Sequence, residues 1–223
     1  MKLVLLPGMD GTGLLFKPLL NVLPDSIDAE IIDYSPTKQQ NYDELVEEVK
    51  SKLPNKPFVL LAESFSGRVA FQLSLDTAIP IKKLILVASF LSNPLPKWGR
   101  FIRMLPLTLL LKIPVSKFIL TRFCFERNCS DDLLSLFHKS IVSVRPNVLA
   151  FRLRQILKAL KPTMRSEVNC LVIIGRKDRL ISQKISVAVG DCFENSRFLE
   201  IEGPHFLAQT NSKAIIIELQ KLG

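Results

Sequence analysis

Histidine is scarce in this sequence, with two residues, His138 and His205, in 223. A zinc site would have little to build from, and no metal is expected. The four cysteines, Cys124, Cys129, Cys170 and Cys192, show neither C-x-x-C spacing nor the density of a secreted domain. They read as reduced thiols of a cytoplasmic protein. No uninterrupted apolar span reaches membrane length, because the most apolar region, 101–125, is broken by Arg103, Pro106, Lys112, Pro114, Lys117 and Arg122. Met1 to Leu6 is too short an apolar run for a signal peptide and stops at Pro7-Gly8. Internal repeats and low-complexity tracts are missing. So are the G-x-G-x-x-G fingerprint and the Lys-Ser or Lys-Thr of a phosphate-binding loop.

With 48% hydrophobic and 23% charged residues, the chain is globular and long enough for one well-packed domain with an insertion. Its net charge of +9 is unevenly placed. Residues 92–165 hold 14 Lys or Arg against three acids, a balance of +11; the remainder holds 16 basic and 18 acidic residues. That asymmetry suits an acidic partner or surface at the insertion, or a solvated basic face. No nucleic-acid partner is expected.

Short apolar runs alternate with helical patterns. Strands are predicted at Lys2 to Leu6, Ala29 to Tyr34, Phe58 to Ala62 and Lys83 to Val87, and again at Cys170 to Ile174 and Phe198 to Ile201. Helices are predicted at Leu14 to Leu23, Tyr42 to Leu53, Phe65 to Leu75, Ser182 to Val189 and Asn211 to Leu222, the last capped by Asn211 or Thr210. This order implies an α/β protein with a parallel sheet covered on both faces. After Ser89 the pattern changes, and six prolines between 94 and 162 divide the chain into short helical pieces. The expected organisation is a core of 1–91 and 166–223, with a helical cap at 92–165.

Ser64 falls where the strand ending at Ala62-Glu63 turns straight into a helix. That turn pushes a hydroxyl out of the sheet, and the helix N-terminus favours developing negative charge. Small neighbours are needed two residues either side, and Ala62 and Ser66 supply them where G-x-S-x-G has glycines. Asp178 and His205 each follow a strand, at the carboxyl edge where functional groups of such sheets gather. Serine, acid and histidine thus come in the chain order of an α/β-hydrolase. Glu63 and Asp10 flank the site as positioning or solvent-facing residues, Asp10 also as a turn former; His138 is exposed or pocket-lining. A rival reading takes Gly8, Gly11, Gly13 and Asp33 as a dinucleotide site, but it leaves Ser64, Asp178 and His205 unused. A hydrolase fold serving as a non-catalytic binding module is a further alternative.

On these motifs the whole chain resembles the α/β-hydrolases of the esterase, thioesterase and acyltransferase kind. Pro7-Gly8-Met9 is similar to their His-Gly-x turn, with Pro in place of His. The resemblance implies about six mostly parallel strands with helices on both faces and an inserted cap. It also implies Ser64 as nucleophile, His205 as base, Asp178 as its orienting acid, and the amides of Met9 and Phe65 as the oxyanion hole, with no cofactor. The apolar cap (Phe101, Met104, Leu107, Phe118 and their neighbours) is interleaved with Arg100, Arg103, Arg122, Arg127, Arg152, Arg154 and Lys158. It resembles that of the pimeloyl-acyl-carrier-protein methyl ester esterases of biotin synthesis. The substrate so implied is an acyl ester carried on acyl carrier protein and docked on those basic residues. A lipid-directed hydrolase or acyltransferase on an anionic membrane surface, and an acyl thioesterase, are the alternatives.

Overall fold

The computed structural model describes residues 1–95, 125 and 129–221. Its centre is a sheet of strands β1 (Lys2–Leu6), β2 (Asp28–Ile31), β3 (Phe58–Glu63), β4 (Ile81–Val87), β5 (Cys170–Gly175) and β6 (Ser196–Ile201). All neighbouring strands pair in parallel, in the spatial order β2-β1-β3-β4-β5-β6. Because side chains alternate along a strand, each central strand feeds two cores. Val4, Leu6, Leu60, Ala62, Leu84, Leu86, Val172 and Ile174 enter one; Leu3, Leu5, Val59, Leu61, Ile85, Val87, Leu171 and Ile173 enter the other. Burial on both faces explains why these strands read as continuous apolar runs.

Helices α2 (Tyr42–Lys52), α3 (Gly67–Leu73) and α6 (Gln183–Gly190) cover the first core; α1 (Lys17–Leu20), α7 (Leu207–Thr210) and α8 (Ser212–Gln220) cover the second. Between β4 and β5 lie α4 (Asp131–Val142) and α5 (Pro146–Lys158). Helix α2 is fixed by a capping box: Asn41 accepts from the Glu44 amide at 2.9 Å, and Glu44 accepts from the Asn41 amide at 2.8 Å. The expected helix at 14–23 is shorter, a 3-10 turn Leu14–Phe16 leading into α1, whose Pro18 sits in the first turn. Asn211 precedes α8 but its side chain does not cap it. Instead it donates to the Glu202 carbonyl at 3.1 Å and accepts from the Thr210 hydroxyl at 2.7 Å, closing the loop that carries His205. Among the described residues no helix is long and apolar enough to cross a membrane.

Candidate active site

Strand β3 hands Ser64 into a 3-10 turn, Ser64–Ser66, that runs directly into α3. Ser64 takes φ 50°, a left-handed conformation that side-chain-bearing residues seldom adopt. Ser66, where the usual motif has its second glycine, is fully buried, and its hydroxyl is used. It donates to the Pro7 carbonyl and accepts from the Tyr34 phenol. Burial holds that phenol well above its ordinary pKa, so it stays a donor. The close approach that requires glycine falls one residue later: a Cβ on Gly67 would lie 2.7 Å from Ser89 Cβ.

The three residues singled out in sequence are brought together. His205 Nε2 lies 3.0 Å from Ser64 Oγ, across 141 residues of chain. His205 Nδ1 lies 2.8 Å from Asp178 Oδ2. The other Asp178 oxygen accepts from the amides of Leu180 and Ile181 at 2.8 and 2.9 Å. A carboxylate so held accepts a hydrogen bond from Nδ1–H, which leaves Nε2 as an acceptor facing the serine. The Asp178 side chain is 3% exposed, so it is no surface ion-pair residue. The loops of acid and base also touch, the Lys177 amide donating to the Gly203 carbonyl at 3.0 Å.

Glu63 and Asp10 are buried rather than solvent-facing. Asp10 is a turn residue, accepting from the Thr12 amide at 3.0 Å and from the Thr12 hydroxyl. Glu63 accepts from the Gln209 amide group at 3.2 Å; among the described residues its other oxygen and the Gln209 carbonyl oxygen have no partner. Burial raises the Glu63 pKa to about 7 against the opposing pull of His205. His138 is exposed on α4.

A cavity of about 270 Å³ opens on Ser64 and His205, near the lower end for ligand pockets at about 300 Å³. Apart from Asp10 and Glu63 its walls are apolar, with Phe137 and Ile141 from α4, Leu153 and Ile156 from α5, and Phe90 and Ile181 beside the sheet edge. These wall residues went unnamed in the sequence reading, although Phe137/Ile141 and Leu153/Ile156 have helical spacing. The cap residues named there, at 101–120, lie outside the described residues.

Of the seven basic residues assigned to docking, Arg100, Arg103, Arg122 and Arg127 also lie outside the described residues. Arg154 and Lys158 are exposed on α5. Arg152 is a correction: it is 1% exposed and has turned inward, so it cannot meet a partner. Its guanidinium donates to the carbonyls of Met9 (3.1 Å) and Asp10 (2.6 Å), and to Ser35 (2.9 Å). The signal was present, because Arg152 falls on the stripe Val148, Leu149, Ile156 that α5 buries. Gly11, at φ +74°, leaves room for it; a Cβ there would stand 2.4 Å from Arg152 Nη1. Gly11, weighed as part of a dinucleotide loop, thus accommodates a side chain of the protein itself.

Among the described residues no group of three or more His, Cys, Asp or Glu is placed to hold a metal. No curated protein matches the sequence. Solved structures match over nearly the whole chain. MenH from S. aureus has TM-score 0.78 and 17% identity, over 99% of this chain and 92% of that one. An esterase from Thermogutta terrifontis has TM-score 0.79 and 16% identity, over 100% and 89%. A hydrolase from Oleispira antarctica has TM-score 0.78 and 13% identity, over 99% and 90%. At such identities the likeness is one of fold, the α/β-hydrolase fold. The family model described as serine aminopeptidase, S33 matches residues 37–198, a span that holds Ser64 and Asp178 and stops before His205. The chain belongs to that family of α/β-hydrolases.

Proposed function

We propose that the protein is a serine carboxylesterase that hydrolyses an acyl ester through an acyl-enzyme. The observation that carries the reading is the 3.0 Å and 2.8 Å chain from Ser64 through His205 to Asp178, set at the mouth of an apolar cavity. Ser64 Oγ bonds to the acyl carbon as its proton passes to His205 Nε2. The carbonyl electron pair becomes an oxyanion facing the amides of Met9 and Phe65. Collapse breaks the bond to the alcohol, which leaves with the proton from His205. Water repeats the sequence to release the acid and free Ser64.

The cavity walls favour an acyl chain over a peptide amino terminus. An ammonium group needs a free carboxylate, whereas Asp10 is engaged by Thr12 and Glu63 is driven toward its neutral form. The finer reading is a pimeloyl-acyl-carrier-protein methyl ester esterase in the cytoplasm, with Arg154 and Lys158 among the residues facing the acidic carrier.

Fluorophosphonate labelling read by intact mass tests the chemistry. One adduct is expected on the wild type and none on Ser64→Ala; no adduct on folded wild type overturns the reading. Turnover of aminoacyl anilides in preference to acyl esters would replace esterase by peptidase. Salt should depress activity on a carrier-bound ester and leave a small neutral ester unaffected. Equal response removes the carrier, and sedimentation with anionic vesicles would put a membrane in its place.

A further inference from the structure

Arg152 is a buried cation that Asp10 and Glu48 favour from a distance, but among the described residues no carboxylate lies within ion-pair reach of it. Taking a charge out of water is costly unless hydrogen bonds replace the lost hydration. Here the replacement comes from three main-chain carbonyls, those of Met9, Asp10 and Ser35, and from the Tyr34 ring 5.6 Å away. Packing alone would be served as well by an apolar residue, like its neighbours on the α5 stripe. The fork geometry is what an apolar residue cannot supply.

The two adjacent carbonyls belong to the loop after β1 that carries Met9. Each carbonyl from Pro7 to Gly11 is occupied from within the protein. Pro7 is held by Ser66, Gly8 by the Gly11 amide at 3.0 Å, Met9 and Asp10 by Arg152, and Gly11 by the Tyr34 amide at 2.8 Å. Among the described residues, the Met9 amide donates to no carbonyl. Acceptors engaged on both sides of Met9 keep that donor fixed and unspent.

We propose that Arg152 is the positioning residue of the oxyanion loop, holding it from helix α5, whose Leu153 and Ile156 line the same cavity. The inference rests on the serine-esterase reading of the site. Arg152 touches no reacting atom; it acts by fixing the peptide units beside Met9. Its contribution therefore belongs to the transition state and not to the binding of substrate.

The test compares wild type, Arg152→Lys and Arg152→Ala on a short neutral ester, with rates per mole of folded protein and inhibition by an alkylboronic acid. The tetrahedral boronate adduct on Ser64 places an oxygen where the oxyanion forms. Arg152→Ala is expected to lose about 100-fold in kcat with KM little changed, and boronate affinity is expected to fall in step. Millimolar guanidinium should restore part of the loss in Arg152→Ala and none in Ser64→Ala. Arg152→Lys keeps the charge without the fork and should fall between; it carries the test if the alanine variant does not fold. Unchanged kcat in the folded variants, or a loss confined to KM with boronate affinity intact, overturns the proposal while leaving the esterase reading in place. Wild type that neither labels nor turns over ester overturns the esterase reading itself.

Discussion

The hydroxyl of Ser66 donates to the carbonyl of Pro7 while accepting from Tyr34, so the serine turn and the loop after β1 are tied by one buried chain of hydroxyls. Restoring the usual glycine at this position would break that tie. Ser66→Gly is expected to lower stability by about 1–3 kcal/mol, since it strands a buried phenol and a buried carbonyl. Tyr34→Phe in the same background should cost less than it does alone, because the phenol has already lost its partner. Urea denaturation of the two single variants and the double variant checks both.

Glu63 links the fold to pH. Folded, it binds its proton up to about pH 7; unfolded, it loses it near the ordinary value of 4.5. Between those values the folded state holds more protons, so its contribution is full below the window and lost as pH rises through it. The groups facing this carboxyl are His205, which favours ionisation, and Asp10, which opposes it. Glu63→Gln removes the linkage. Relative to wild type, the variant should gain roughly 1–3 kcal/mol between about pH 5 and about pH 8. Denaturation midpoints at the two pH values decide; a constant difference would mean that Glu63 ionises alike in both states.

Gly175 ends β5 where the acid and base loops meet. A Cβ there would lie 2.6 Å from the Pro204 carbonyl oxygen and 2.7 Å from that of Gly203, and backbone cannot rotate away. Gly175→Ala should cost about 1–3 kcal/mol in stability. By moving the His205 loop it should also lower kcat by about tenfold or more in protein that remains folded. Thermal melts and single-turnover acylation separate the two effects.

On the proposed esterase reading, the cavity wall sets acyl length. Leu153→Phe adds bulk on the α5 side, and the preferred ester should become shorter, with about tenfold or greater loss in kcat/KM on longer chains. A chain-length series of aryl esters reads this directly. An unaltered profile would place the acyl group elsewhere.

Much of this was legible because burial on both faces writes β1, β3, β4 and β5 as apolar runs, and because Ser64, Asp178 and His205 each follow a strand. Edge strands β2 and β6 were misjudged by up to three residues at an end, since an edge keeps polar side chains such as Asp28, Glu30 and Arg197. Arg152 was missed for a different reason. Counting charge treats every arginine as surface, while its place on the buried stripe of α5 contradicted that assumption. The pairing of Glu63 with Gln209 carried no local signal, because 146 residues separate them and only the fold makes them neighbours.

Helix α5 does more than roof the cavity, since one of its side chains reaches the main chain of the β1 loop. Exchange of the helices between β4 and β5 for those of another hydrolase would import a new cavity wall and remove the only guanidinium that, among the described residues, grips that loop. Substrate range and reaction rate are therefore inherited together here. A chimera that ignores residue 152 should bind its new ester and turn it over slowly.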